Sequence, residues 1–250
     1  MASIRAYHRP TTLDEALALL ARSDVVSAPL AGGTVLNGLP TEVPEEVVDL
    51  QALGLSDISR DGAVLEVGSA TTLRDFVDHE WTPPLLRDLA LREAPNTIRN
   101  AATIGGTVAA ADPESGLLCG LLAHAATLRI ARVSGADDVA LAEFLDGDRP
   151  LDGGLITLVR IPIGGEGAFE ATARTPADIP IVLTVGHRSD EGVLRLAAAG
   201  VASHPVLIDS DRIADLDPPD DFRGSADYRR HLVTVLAARV VGRLPEGGVS

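Results

Sequence analysis

The spacing of apolar and polar residues divides the chain into three successive groups of helices and strands. In the first group, an apolar residue recurs every three or four positions after the capping sequence Thr12-Leu13-Asp14-Glu15, which predicts an amphipathic helix over residues 13–22. Short apolar runs predict strands at 28–31, which leads into Gly32-Gly33, and at 47–50. These elements form a small unit that ends near residue 53.

The second group is predicted to be a longer mixed unit. Leu65 and Val67 alternate with Glu66, as in a strand with one buried face, and Pro95 must end the helix that precedes it. Residues 116–126 are apolar on almost every side, which is typical of a buried helix. In chain order we expect a strand at 63–68, a short helix after Thr72, helices at 83–94 and 116–126, and strands at 127–132 and 155–161.

The third group begins near residue 166. Residues 181–185 and 193–197 can pair as a hairpin across a polar turn. Ser225 can cap a final helix whose apolar positions keep helical spacing. The pattern therefore predicts an α+β protein with units at 1–53, 54–165 and 166–250.

Composition and charge narrow the classes of function. Apolar residues make up 46% of the 250 residues, so a folded core is expected. The formal net charge is -15 and no cluster of Lys and Arg interrupts it, which argues against nucleic acid as a partner. No stretch approaches the roughly 18 apolar residues of a membrane span, and the first ten residues lack the apolar core of a signal peptide. We therefore expect a cytoplasmic protein.

The sequence does not predict a metal site or a catalytic residue. The only cysteine, Cys119, cannot supply an iron–sulfur cluster or a thiolate zinc site, which need several thiolates. The six histidines have no helical i, i+4 pairing and no cysteine partners, so structural or surface roles are favoured. Asp137-Asp138 and Asp220-Asp221 are interpreted as exposed loop residues rather than paired catalytic carboxylates.

Two segments place a pair of glycines directly after apolar residues. They are residues 30–34 (Leu-Ala-Gly-Gly-Thr) and residues 97–107 (Thr-Ile-Arg-Asn-Ala-Ala-Thr-Ile-Gly-Gly-Thr). Consecutive glycines can point backbone amides at one place and let an anion approach without a Cβ collision, and the neighbouring threonines add hydroxyl donors suited to phosphate. Taken singly, each pair is also explained by a plain tight turn. Neither segment matches the lysine loop of nucleoside triphosphatases or the spacing of the Rossmann fingerprint.

The order of these segments resembles that of a known family. Tyr7-His8-Arg9-Pro10, residues 31–34, residues 98–106 and Asp112-Pro113 are together similar to the FAD-binding medium subunit of the molybdenum hydroxylases, the carbon monoxide dehydrogenase and xanthine dehydrogenase family. Residues 225–232 resemble that family's last helix, so the resemblance covers nearly the whole chain. It implies a two-part FAD-binding domain of the vanillyl-alcohol oxidase (PCMH) type, followed by a small C-terminal α+β domain.

The resemblance also implies the residues that hold FAD. The two glycine segments would line opposite sides of the FAD phosphates, and an aliphatic residue of the strand at 155–161 would pack near the flavin. The implied FAD contacts are Ala31, Gly32, Gly33, Thr34, Val35, Leu36, Thr103, Ile104, Gly105, Gly106, Thr107, Asp112 and Ile156. The sequence departs from the family at Val35, Thr107, Gly116 and Glu170, where a polar residue, Asn, an acidic residue and Lys are common. Each departure removes a side-chain contact but leaves the backbone of the glycine segments intact.

The function implied by the resemblance is electron transfer through FAD. Electrons would arrive from [2Fe-2S] clusters on a small subunit, after substrate oxidation at a molybdenum cofactor on a large subunit, and would leave to an external acceptor. The expected assembly is a dimer of such heterotrimers. One alternative is a degenerate relative that has lost flavin and acts as an assembly scaffold, which Val35, Gly116 and Glu170 favour. A self-sufficient flavin oxidase is a second alternative, for which the sequence offers no substrate domain and no general base.

Overall fold

Three β-sheets with helices packed on them form the chain in a computed structural model, which describes residues 4–36, 45–147, 151–175 and 178–245. The sheets lie within residues 6–49, 58–162 and 166–207. This mixture of helices and strands confirms the predicted α+β class. The domain boundaries near residues 53 and 165 stay a prediction; no strand pairing of the described residues crosses either position.

As far as the structure describes it, the first unit is a three-stranded parallel sheet with one α-helix. Its strands lie in the order β1-β3-β2, where β1 is Ala6–His8, β2 is Ser27–Leu30 and β3 is Glu46–Asp49. Helix α1 spans Leu13–Leu20, and the Thr12 hydroxyl caps it by accepting from the Glu15 amide at 3.3 Å. The helix ends two residues earlier than predicted, and the Arg22 side chain folds back over this end to donate to the Leu19 carbonyl at 3.1 Å.

The second unit is built on a five-stranded antiparallel sheet in the order β4-β5-β8-β6-β7. Its strands are β4 Ile58–Asp61, β5 Val64–Gly68, β6 Thr127–Arg132, β7 Gly135–Ala140 and β8 Leu155–Pro162. The predicted strands β5, β6 and β8 are confirmed. The edge strands β4 and β7 were missed because they are polar and mostly exposed, without apolar alternation. The loop prediction for Asp137 and Asp138 is wrong: both lie in β7, paired with Arg132 at 3.0 Å and with Arg129 at 2.9 Å.

Six helices complete the second unit, and those predicted after Thr72, at 83–94 and at 116–126 are confirmed. The bounds are α2 Leu73–Asp78, α3 Pro84–Glu93, α4 Asn96–Arg99, α5 Ile104–Ala110, α6 Gly116–Ala123 and α7 Leu141–Asp146. Every residue from Leu117 to Ala123 is buried, as the continuous apolar run predicts. Helix α6 stops before residue 126 because Ala125 has a positive φ of 53°, which is not helical.

The third unit packs one long helix on a four-stranded antiparallel sheet. The strand order is β12-β11-β10-β9, with β9 Glu166–Thr172, β10 Val182–Arg188, β11 Leu194–Ala199 and β12 Val206–Leu207; a 3₁₀ helix, Ser210–Asp215, precedes α8 Ala226–Arg243. The predicted hairpin (β10 and β11) and the last helix are confirmed. Asp221 is not the plain exposed loop residue that we expected, because its carboxylate accepts two hydrogen bonds from the buried Arg229.

The second and third units share one apolar core. Helix α6 lies between α3 on one side and strands β10 and β11 on the other, so that Leu183 and Val185 belong to the same buried cluster as Leu118. The Gly200 amide also donates to the Pro113 carbonyl at 2.7 Å. The third unit is therefore packed firmly against the second. No helix in the described ranges is long and apolar enough to cross a membrane.

Candidate functional site

The first glycine segment leaves strand β2 in a conformation that needs its glycines. Gly33 has a φ of 69°, in the left-handed region that favours glycine. A Cβ on Gly32 would lie 1.7 Å from the carbonyl oxygen of Ala101, so the segment touches the backbone of the second glycine segment. The amides of Gly32 and Gly33 donate to no group among the described residues. They are backbone donors available to a ligand.

The second glycine segment forms the start of a helix rather than the tight turn that also explained its glycines. Thr103 caps helix α5 by accepting from the Gly106 amide at 3.1 Å, and both glycines lie in the first helical turn. The Ile104 amide donates to Thr71 at 3.0 Å and the Gly105 amide donates to Ser69 at 2.8 Å. These amides are therefore engaged within the protein. Backbone amides left free for an anion were expected at both segments; among the described residues they occur at the first segment, whereas those of the second are bonded within the protein.

Gly105 serves a packing role instead. A Cβ at this position would lie 2.6 Å from the Cβ of Ser69, closer than real Cβ atoms approach. The glycine thus lets the end of strand β5 lie directly against the first turn of α5. This contact joins the central sheet of the second unit to the wall that faces the first glycine segment.

A cleft of about 250 Å³ lies between the two glycine segments. Its walls combine the 31–36 segment, Thr103, Gly105, Gly106 and the Ala109-Ala110 end of α5, and Ile156 of strand β8 also lines it. No charged side chain of the described residues lines this cleft. A dinucleotide phosphate here would meet backbone and hydroxyl donors rather than arginine or lysine.

The cleft contains ten of the thirteen residues expected to hold FAD. Those that line it are Ala31, Gly32, Gly33, Thr34, Val35, Leu36, Thr103, Gly105, Gly106 and Ile156. Ile104 is fully buried in the core, and the Thr107 hydroxyl donates to the Thr103 carbonyl at 3.2 Å. Asp112 lines a separate cavity. The structure therefore does not bring these last three into the cleft.

The structure shows what surrounds two of the positions that depart from the family pattern, Val35 and Gly116. Val35 is 49% exposed at the mouth of the cleft. At the start of α6, where Gly116 has no side chain, the Glu93 carboxylate accepts from the Ser115 hydroxyl at 2.5 Å and from the Leu117 amide at 3.0 Å. Burial raises the pKa of Glu93, and these hydrogen bonds oppose that rise. The start of α6 therefore has an acidic group beside it even though position 116 is a glycine, because Glu93 at the end of α3 supplies the carboxylate.

Glu170 is engaged in an ion pair. Its carboxylate lies 2.5 Å from the Arg243 guanidinium at the end of helix α8. The charge at this position is opposite to that of the Lys common in the family, and its partner, Arg243, is a cation of the same chain. The carboxylate is therefore compensated and does not line the cleft.

Sequence reasoning missed one polar residue of the cleft, Ser69. It follows strand β5 and lies among the lining residues, yet its position after an ordinary strand gave no signal of a site. Its role became visible only from its contact with Gly105. The described part of the chain contains no group of three or more His, Cys, Asp or Glu side chains arranged to hold a metal ion.

Comparison with known proteins places this geometry in a family context. Residues 2–164 match the model of the family described as the FAD binding domain in molybdopterin dehydrogenase. Over 259 residues the chain is 27% identical to protein YgfM of Escherichia coli strain K12, covering 98% of each chain. It is 28% identical over 274 residues to the carbon monoxide dehydrogenase medium chain of Afipia carboxidovorans, covering 95% of each.

A solved structure agrees over nearly the same length. The chain superposes on reconstituted CO dehydrogenase from Oligotropha carboxidovorans with a TM-score of 0.86 at 25% sequence identity, covering 98% of both chains. The similarity therefore extends beyond the family-matched residues into the third unit.

Proposed function

This chain belongs to the family of FAD-binding domains of molybdopterin dehydrogenases, and from that membership we propose that it is the electron-transfer subunit of a molybdenum hydroxylase complex. Bound FAD would accept electrons that originate at a partner subunit and release them to an external acceptor. The observation that supports this most directly is the cleft in which the two glycine segments meet. The protein supplies position and environment, while the cofactor supplies the redox chemistry.

The residues of the cleft fit a dinucleotide phosphate. The Gly32 and Gly33 amides have no partner among the described residues, and both glycines line the cleft. Thr34 and Thr103 line the same space with hydroxyls, and Ile156 offers an apolar surface. We assign FAD contacts to the ten lining residues of the predicted set. Ile104 is buried in the core, the Thr107 hydroxyl bonds the Thr103 carbonyl, and Asp112 lines a separate cavity.

The partners follow from the same proposal. The single cysteine is fully buried, so this chain offers no thiolates for a cluster. A small subunit with [2Fe-2S] clusters and a large subunit with the molybdenum cofactor would supply the electrons. We propose a dimer of heterotrimers, located in the cytoplasm.

Flavin binding is tested on the purified protein. Added FAD should give a yellow protein after desalting, and a hundredfold excess over Kd should stabilise the fold by about 2.7 kcal/mol, which raises Tm by about 5–10 °C. Riboflavin, which lacks both phosphates, is the control ligand and should give a much smaller shift. A colourless protein whose Tm does not respond to FAD would contradict the proposal and leave the scaffold alternative.

The complex is tested separately by gentle native purification from the source cells. Iron, molybdenum and two further subunits should elute together with this chain, and light scattering should give the mass of two heterotrimers. A chain that binds FAD but elutes without metal would retain the flavin assignment and refute the hydroxylase complex.

A further inference from the structure

Ser69 is held rigidly at the wall of the cleft. Its amide donates to the Thr157 carbonyl at 3.1 Å, and its carbonyl accepts from the Gly105 amide at 2.8 Å. Its Cβ lies where a side chain on Gly105 would otherwise be. The backbone of Ser69 is therefore fixed from both sides, by the central sheet and by helix α5.

The hydroxyl of Ser69 has no partner within the protein. The residue is only 4% exposed, and its Oγ is buried without a hydrogen bond among the described residues. A buried hydroxyl without a partner destabilises a fold, and an alanine would avoid that cost in the same space. Because Ser69 also lines the cleft, the missing partner is expected from a ligand.

We propose that the Ser69 hydroxyl is a direct hydrogen-bond donor to bound FAD, an inference that rests on the proposed function. Its acceptor is an oxygen of the phosphate or ribityl part, since phosphate oxygens only accept and ribityl hydroxyls also accept. Ser69 has one rotatable side-chain bond, so rotation about χ1 redirects the hydroxyl into the cleft without backbone movement. A neutral donor also suits a cleft that is lined by no cationic side chain in the part of the chain that the structure describes.

The test compares Ser69→Ala with a matched change elsewhere. Thr184 in strand β10 also has a buried hydroxyl without a partner, but it does not line the cleft. We expect Ser69→Ala to weaken FAD binding about 10-fold or more while the Tm of the FAD-free protein stays equal or rises. Thr184→Val should likewise keep or raise Tm but leave the affinity for FAD unchanged. Ser69→Cys, which replaces the hydroxyl with a somewhat larger thiol that is a poor donor, should also weaken FAD binding.

The outcomes separate this inference from the proposed function. Wild-type affinity in both Ser69 variants would overturn the inference while the flavin assignment stands, and so would a loss of affinity that only parallels a lower Tm. If the wild-type protein binds no FAD, both are overturned. ADP and FMN locate the contact: a loss seen with ADP assigns the acceptor to the phosphates, and a loss seen only with FMN assigns it to the ribityl chain.

Discussion

Gly32→Ala should separate the two glycine segments and thereby weaken flavin binding. The new Cβ would lie 1.7 Å from the Ala101 carbonyl oxygen, and real Cβ atoms do not come within 3.0 Å of such a neighbour. The position of a Cβ is fixed by its own backbone, and the Ala101 carbonyl is itself backbone, so no side-chain rotation relieves this contact. The segments must therefore move apart, which is an overpacking change that typically costs about 1–3 kcal/mol.

The expected magnitude follows from the size of the chain. A loss of about 1–3 kcal/mol lowers Tm by roughly 2–12 °C in a protein of this length. Wider spacing also moves the free amides of Gly32 and Gly33 relative to Thr103 across the cleft. Losing one well-placed donor to a phosphate weakens binding by about 1.5–3 kcal/mol, which is roughly 10- to 150-fold in Kd.

The assay combines differential scanning fluorimetry without FAD with titration of FAD by fluorescence quenching. Gly242→Ala is the matched control, because it makes the same change in helix α8 where a new Cβ meets nothing within 4 Å. That control should keep or slightly raise Tm and leave the affinity for FAD unchanged. A folded Gly32→Ala protein with wild-type affinity for FAD would refute the reasoning, since the cleft would not depend on contact between the segments.

Two further predictions concern stability away from the cleft. His124 is buried and stacks on His187 at 4.0 Å, and burial lowers the pKa of His124 to about 3. Between pH 7 and pH 5 the unfolded state therefore binds a proton that the folded state does not, which should lower the free energy of unfolding by about 2 kcal/mol. Urea unfolding of His124→Gln should show a correspondingly smaller loss over the same pH range. Arg229→Met should lower the free energy of unfolding by about 3–5 kcal/mol, because the buried guanidinium bonds Asp221 and two backbone carbonyls. Arg230→Met is the control on the same helix. Its side chain is partly exposed, so the substitution should cost less than about 1 kcal/mol. Equal losses for the two arginine variants would show that burial does not govern the effect.

The sequence predicts an element correctly where residues close to it in the chain determine where it begins or whether it is buried. The predicted caps of α1, α2 and α8 are confirmed. In each, the side-chain hydroxyl of a threonine or serine accepts a hydrogen bond from an amide only three residues later, so the sequence shows both partners. Helix α6 was predictable because a helix with no polar face has to be buried. These inferences need no knowledge of distant parts of the chain.

The elements that were missed depend on neighbours outside their own sequence. Strand β7 carries acidic residues whose partners, Arg129 and Arg132, lie on β6, so its own sequence resembles a loop. Helix α5 carries two glycines directly after its first residue, Ile104, and glycine normally disfavours a helix. Its first amides are satisfied by Ser69 and Thr71, over thirty residues earlier. Thus the sequence pattern identified the segment but not its conformation.

The glycine pairs owe their importance to packing as much as to ligand contact. Gly32 allows the first unit to touch the second at Ala101, and Gly105 allows the central sheet to touch α5 at Ser69. Both contacts set the width of the same cleft, where no charged side chain of the described residues is present to attract a phosphate. On a chain with a net charge of -15, the affinity for an anionic dinucleotide must therefore come from fixed donors at short range. Such donors work only if the walls are held at the correct spacing, so substitutions at the two close contacts should affect binding even where they touch no ligand atom.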